Sequence, residues 1–190
     1  WAGGGPGLME AALLGVKTAG GRIAAIKIHL TAEQSEHEQE ISSVLDPRDV
    51  AECEYFGPRK IGLVDAGMLQ NETDHTAFVV LPGGFGTMDE LFEEIVLKQL
   101  KKNGSKHPVP ILLINYNGYY DNLLKQMDRM EAEGTVTAKE RELITICNSN
   151  EEALEALADF YAIEPEQRTY KGKMQQWKWP QSETLHEQAV

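Results

Sequence analysis

The sequence predicts an α/β fold in which a parallel sheet carries helices on both faces. Short runs rich in Val, Ile and Leu, at residues 23–28, 77–81, 109–114 and 143–147, alternate with stretches of helical spacing. Two glycine-rich turns, Gly3-Gly4-Gly5-Pro6-Gly7 and Pro82-Gly83-Gly84-Phe85-Gly86, each stand between a strand-like segment and a helix-like one. The connections are long enough for helical crossovers, which parallel strands require and hairpins do not.

Taken in order, Trp1-Ala2 reads as the end of a strand entering the first glycine turn, with the rest of that strand missing. Residues 8–17 then have helical spacing, and Gly20-Gly21 stops them. The strand at 23–28 is followed by a polar, acidic segment, residues 31–40, without a clear period; it reads as a loop or short helix passing over a surface or ligand site. Helical spacing resumes near Tyr55 or Pro58 and runs to about Met68. The strand at 77–81 leads through the second glycine turn into a helix from Thr87 to about Lys102, ended by Asn103-Gly104-Ser105. A β-rich run at 109–114, an amphipathic helix at 119–133 closed by Gly134, and a short strand at 143–147 come next. Asn150, with Glu151 and Glu152, caps a last helix to about Ala162. Residues 1–163 form one domain on this reading, and residues 164–190, polar but carrying Trp177 and Trp179, form a tail.

Composition narrows the possible functions. The chain has 190 residues, 42% of them hydrophobic, which suits a single domain with a substantial core. A formal net charge of -12 argues against nucleic acid as a partner, because backbone binding needs clustered Lys and Arg. The short basic cluster at 98–106 reads as the solvated end of a helix. Cys53 and Cys147 form neither a Cys-x-x-Cys pair nor a disulfide framework, which points to a reducing, cytoplasmic setting. No apolar stretch approaches the roughly 20 residues of a membrane span, and no signal peptide is visible. The chain opens on Trp1, not methionine, and reads as a fragment of a longer one.

Both glycine turns, at strand-to-helix junctions of a parallel sheet, would open at its carboxyl edge, where such folds bind ligands. The amides from Gly84 to Thr87 would point from a helix N-terminus at an anion, with Glu90 in the first helical turn beside it. Glu10 stands where a dinucleotide fingerprint has its third glycine in the first turn, and Asp89 stands there in the second. The Gly-Lys-Ser/Thr ending of a triphosphate loop is absent from both, so a mononucleotide or sugar phosphate fits better than NAD or ATP. A glycine turn also allows tight packing with no ligand at all, but two at one edge weigh against that reading. The five histidines are scattered, and Ser35-Glu36-His37-Glu38 lacks the second histidine of a zinc helix, so no metal is assigned. No lysine stands out as a pyridoxal phosphate carrier, and no cofactor is expected.

Gly3-Gly4-Gly5-Pro6-Gly7-Leu8-Met9-Glu10-Ala11-Ala12, then Glu33-Gln34, Arg59-Lys60 and Pro82-Gly83-Gly84-Phe85-Gly86-Thr87-Met88-Asp89-Glu90, resemble the LOG ("Lonely guy") family, often labelled "possible lysine decarboxylase". The resemblance covers residues 1–163, and its Pro-Gly-Gly-x-Gly-Thr-x-x-Glu block is highly specific. It implies a Rossmann-like domain, usually a homodimer or higher homo-oligomer. The implied reaction is hydrolysis of the N-glycosidic bond of a nucleoside 5'-monophosphate, cytokinin riboside monophosphate or AMP-like, to free base and ribose 5-phosphate. The family's functional Arg and Glu map onto Arg59 and Glu90. Family members begin with a further strand and helix that this chain lacks, and the segment 69–76 is longer than usual.

Chemistry leads to the same residues. Cleaving the bond builds positive charge on the ribose, so a carboxylate near the anomeric carbon stabilises the transition state and can orient or deprotonate water. Glu90 takes that role. The phosphate falls to the amides of Gly83, Gly84, Phe85, Gly86 and Thr87 and to the Thr87 hydroxyl, while Arg59 offers a planar fork for phosphate, ribose or departing base. Gly5 and Lys60 are counted with these residues as substrate- or phosphate-binding. Glu10 either binds ribose hydroxyls or only favours its helix dipole. Glu33-Gln34 reads as a loop able to close over the base, whereas Asp89, Glu93 and Glu94 read as solvent-facing or hydrogen-bonded structural acids. The rival from another class is a non-catalytic nucleotide or cofactor carrier, or a regulatory protein of the same fold, which would have no need of Arg59 paired with Glu90.

Overall fold

The computed structural model describes residues 1–29, 42–68, 71 and 73–168. Strands β1 (Ala25–Ile28), β2 (Val50–Cys53), β3 (Phe78–Val80), β4 (Ile111–Ile114) and β5 (Thr145–Cys147) are interleaved with helices α1 (Leu8–Thr18), α2 (Phe56–Gly67), α3 (Phe85–Gln99), α4 (Asp121–Ala132), α5 (Ala138–Arg141) and α6 (Asn150–Phe160). Every strand pair among the described residues is parallel, as expected. Ala25 lies opposite Val50, Phe78 opposite Ile111, and Leu112 opposite Thr145. The strands form two ladders, β1-β2 and β3-β4-β5, where the sequence had suggested one sheet. The entry segment belongs to the first, because Ala2 N–H donates to Ala24 O and Ile26 N–H donates to Ala2 O.

β4 is the centre of the larger ladder, and all four of its residues are buried. Its alternate side chains face opposite layers. Ile111 and Leu113 pack with Leu91 of α3 and with Tyr120, Met127 and Ile144, whereas Leu112 and Ile114 pack with Cys147 and with Ala153 of α6. Helices therefore cover both faces. Around the first ladder a smaller cluster joins Leu13 of α1 to Ala25 and Leu45. Each fully buried Leu or Ile contributes about 1.5–3 kcal/mol relative to exposure, so β4 and the helices over it supply the rigid platform for the turns at its edge.

Two elements escaped the sequence reading. β2 is Val-Ala-Glu-Cys with an exposed middle, too short and too mixed to show a strand period. α5 spans four residues but carries a complete capping box between Thr137 and Glu140. The last helix is capped by Ser149, whose Oγ accepts from Glu152 N–H at 3.1 Å, one residue before the expected Asn150. Described structure continues past residue 163 through the turn Pro165–Gln167 to Arg168, which pairs with Glu155 and Asp159. Residues 31–40, including Glu33-Gln34, and 169–190 lie outside the described residues. Among the described residues, no helix is long and apolar enough to cross a membrane. The approach to β3 is fixed from far along the chain. Tyr161 hydroxyl accepts from Thr76 N–H at 3.1 Å and donates to Thr76 O, with its ring stacked on His75.

Four helices end in the same way, with a left-handed residue after the last turn and two backward hydrogen bonds. In α1 and α4 that residue is Gly20 or Gly134, as the sequence suggested, but in α3 and α6 it is Lys101 (φ 54°) or Ala162 (φ 50°). Thus α3 stops before Asn103-Gly104, because Lys101 N–H already donates to Lys98 O and Lys102 N–H to Leu97 O. A side chain at positive φ costs free energy that glycine does not. Lys101→Gly is expected to stabilise the protein by about 0.5–1 kcal/mol, read as a higher midpoint in urea denaturation with an unchanged slope.

Candidate active site

β3 runs directly into the second glycine turn, and α3 starts on that turn at Phe85, two residues earlier than expected. Glu90 consequently lies in the second helical turn, not the first. The N-cap is Gly84, with no side chain to bond the first amides, in contrast to Thr137 at α5 and Ser149 at α6. The N–H groups of Phe85, Gly86 and Thr87 have no partner within the helix. Gly84 and Gly86 are exposed, and Phe85 is 96% exposed, so these amides open to solvent. Gly83 is required by a close approach: a Cβ there would lie 2.2 Å from Thr87 Oγ1, which folds back over the turn.

The first glycine turn is different in kind. Gly4 and Gly5 are buried, and the turn is closed by Ser42 N–H donating to Gly4 O. It meets the second turn through one side chain. Arg59 donates from Nε to Ile26 O of β1 at 3.1 Å and from Nη1 to Glu90 Oε1 of α3 at 2.7 Å, while its Nη2 lies where a Cβ on Gly3 would approach within 2.4 Å. Its guanidinium carbon also stands 5.4 Å from the centre of the Phe56 ring. Arg59 is only 13% exposed. The fork expected to face a ligand is therefore largely committed to Ile26 and Glu90, leaving Nη2 toward the first turn. Glu90, one-third exposed, keeps its second oxygen without a hydrogen bond among the described residues.

The neighbouring cation follows the same logic. Lys60 Nζ sits 2.9 Å from Asp89 Oδ2 and 3.1 Å from Glu93 Oε2, and these two acids raise its pKa above the ordinary lysine value. Two consecutive basic residues of α2 thus engage three acids of α3, and this puts Asp89 and Glu93 in structural ion pairs, as the sequence allowed. Glu94 departs from that expectation. It is 6% exposed, and its carboxyl is pushed up to about 7, first by burial and then by Glu93 and Glu90. The signal was its spacing: Glu94 lies three residues after the wholly buried Leu91, on the inward face.

Glu10, in the first turn of α1, accepts a long hydrogen bond of 3.4 Å from Ser43 Oγ. Two tyrosines that sequence reasoning passed over touch the second turn. Tyr119 hydroxyl donates to Gly83 O at 2.9 Å and Tyr120 hydroxyl donates to Leu81 O at 2.6 Å. The structure therefore gathers Gly3, Arg59, Lys60, Glu90 and the Gly83 to Thr87 turn, and adds this tyrosine pair.

The fold is a parallel α/β scaffold that places an open helix N-terminus beside an Arg–Glu pair. The model of the family described as "Possible lysine decarboxylase" matches residues 9–157, and the chain belongs to that family, the LOG family of the resemblance above. The chain is 36% identical over 108 residues to a probable cytokinin riboside 5'-monophosphate phosphoribohydrolase of Oryza sativa subsp. japonica, covering 56% of this chain and 42% of that protein. It is 38% identical over 84 residues to a cytokinin riboside 5'-monophosphate phosphoribohydrolase of Arabidopsis thaliana, covering 44% of this chain and 38% of that one. The matched stretch thus spans about two fifths of the length of these relatives.

Glu94 yields a pH prediction. Its folded pKa of about 7 lies above the ordinary 4.5, so the folded state holds a proton that the unfolded chain releases between these values. That contribution is complete below about pH 4.5 and is lost as pH rises through 7, at most about 3 kcal/mol. Glu94→Gln should flatten the fall in stability between pH 5 and pH 8 measured by urea denaturation. Equal slopes in variant and parent would contradict the assignment.

Proposed function

We propose that this protein hydrolyses nucleoside 5'-monophosphates at the N-glycosidic bond, releasing free base and ribose 5-phosphate, with cytokinin riboside monophosphate or an AMP-like nucleotide as substrate. The observation that carries the reading is Glu90, ion-paired to Arg59 and one helical turn from the open amides of Gly84 to Thr87. The names of the relatives support it.

In this reading the phosphate sits on the α3 N-terminus, held by the amides after Gly83 and by Thr87 Oγ1. Ribose then lies over the second turn of α3. As the bond from C1' to the base nitrogen lengthens, positive charge grows on the sugar ring, and the carboxylate of Glu90 opposes it at short range. Water forms the new bond to C1', yielding one proton to Glu90, and the departing base takes up a proton in turn. Arg59 fixes the Glu90 rotamer, with Nη2 directed toward the first glycine turn. Lys60, held by Asp89 and Glu93, braces α2 against α3 instead of reaching for phosphate. Gly5 and Glu10 border the first turn, from which Glu10 would meet ribose hydroxyls after releasing Ser43.

The test is release of base and ribose 5-phosphate from a panel of nucleoside 5'-monophosphates. Glu90→Ala should lower kcat by about a hundredfold or more while nucleotide binding persists, and Arg59→Ala should damage both rate and binding. Folded protein that binds nucleotide without turnover would favour the carrier reading; turnover retained in Glu90→Ala would remove Glu90 from the mechanism.

The working assembly in this proposal is a homodimer. In its support, Phe85, Phe92, Val96 and Leu100 of α3 and its C-cap recur at helical spacing and are all exposed. Phe92→Glu should shift the chain from dimer to monomer in light scattering, and an unchanged mass would exclude this face.

A further inference from the structure

The loop after β4 carries more organisation than a simple connection needs. Asn115, 6% exposed, accepts at Oδ1 from Tyr120 N–H at 2.7 Å and donates from Nδ2 to Asp121 Oδ1 at 2.9 Å. Asn117 and Gly118 then both take left-handed backbone, at φ 51° and 73°. This sharp reversal presents Tyr119 and Tyr120 side by side, their rings edge to face at 4.9 Å. Both hydroxyls go to the same short stretch, the strand end and glycine turn of β3, more than thirty residues earlier in the chain.

The two phenols have different consequences. Tyr120 is 2% exposed and belongs to the core; its acceptor, Leu81 O, precedes Pro82, whose nitrogen has no hydrogen to direct. Tyr119 is 55% exposed, so water could replace its bond with little loss of stability. Its acceptor, however, is the carbonyl of the Gly83–Gly84 peptide. In a trans peptide the N–H points opposite to the C=O, and a glycine pair has the freedom to flip such a unit. A hydroxyl that holds Gly83 O on one side therefore holds the Gly84 N–H on the other.

We propose that Tyr119 is a positioning residue for the phosphate group: its bond to Gly83 O aims the Gly84 amide into the anion cradle at the start of α3. This rests on the nucleotide reading above and goes beyond it by assigning phosphate affinity to a side chain on a different strand connection. Tyr119 acts on binding and not on bond cleavage, since its hydroxyl is bonded to Gly83 O and, among the described residues, to neither Glu90 nor Arg59.

The test follows the Gly84 and Gly86 amide resonances of the whole 15N-labelled chain during titration with inorganic phosphate and with ribose 5-phosphate, in parent and Tyr119→Phe. The expected result is an unchanged melting temperature and about three- to tenfold weaker binding of both probes, with a smaller Gly84 shift. KM for the nucleotide should rise by the same factor while kcat stays within about twofold. Equal affinity in variant and parent overturns the role of Tyr119 and leaves the nucleotide reading standing. A lowered melting temperature with kcat and KM both impaired overturns it in favour of a structural role. Failure of the parent to bind either probe overturns the phosphate reading itself, and Tyr119 with it.

Discussion

The ion pair between Arg59 and Glu90 is the constraint on which the rest of the site depends. Arg59 is the point where the first ladder, through Ile26 O, meets α3 of the second. With so little of the guanidinium exposed, removing Glu90 leaves a poorly solvated cation, and removing Arg59 leaves a carboxylate free to rotate away. Side-chain packing ties each glycine turn to its neighbours: a Cβ on Gly3 would lie 2.4 Å from Arg59 Nη2, and one on Gly83 2.2 Å from Thr87 Oγ1. Lys60 repeats the pattern one residue on, so that α2 and α3 are fixed against sliding by oppositely charged rows.

Around that pair the helix ends are treated in two ways. α5 and α6 carry hydroxyl caps, whereas α1, α2, α3 and α4 start without a side-chain cap, and α3 does so on a bare glycine. A glycine N-cap in place of Ser or Thr forgoes only about a few tenths of a kcal/mol of local stability, which the core beneath α3, with Leu91 wholly buried, readily offsets. Stability lies in the packed layer under the turn, while the amide donors at its mouth stay exposed.

Much of this was legible in the sequence because strong local rules coincided. The apolar runs at β3 and β4, the glycine turns, and the Gly20 and Gly134 stops each combine pattern with backbone chemistry, and each formed near where it was expected. What stayed hidden depends on contacts distant in sequence. β2 is a strand because β1 pairs with it, not because Val-Ala-Glu-Cys prefers to be one. Lys101 and Ala162 end helices against their own backbone preference, and the Arg59–Glu90 pair could be matched from the family motif but not its geometry. Glu94 shows the opposite failure: its position on the helix pointed inward while its charge argued outward, and position won. Tyr119 and Tyr120 carried no motif at all, since their partners are backbone carbonyls.

The hydrogen bonds between Tyr161 and Thr76 bear on the order in which the chain can be assembled. Thr76 leads into β3, yet both of its backbone groups are tied to a residue 85 positions later. Such a contact is slow to find and comes after the local helices have formed. During synthesis from the N-terminus, β3 and its glycine turn emerge long before α6 and Tyr161 exist to secure them. The glycine turn would therefore spend that interval without its anchor, and its surroundings are complete only when nearly the whole domain has left the ribosome.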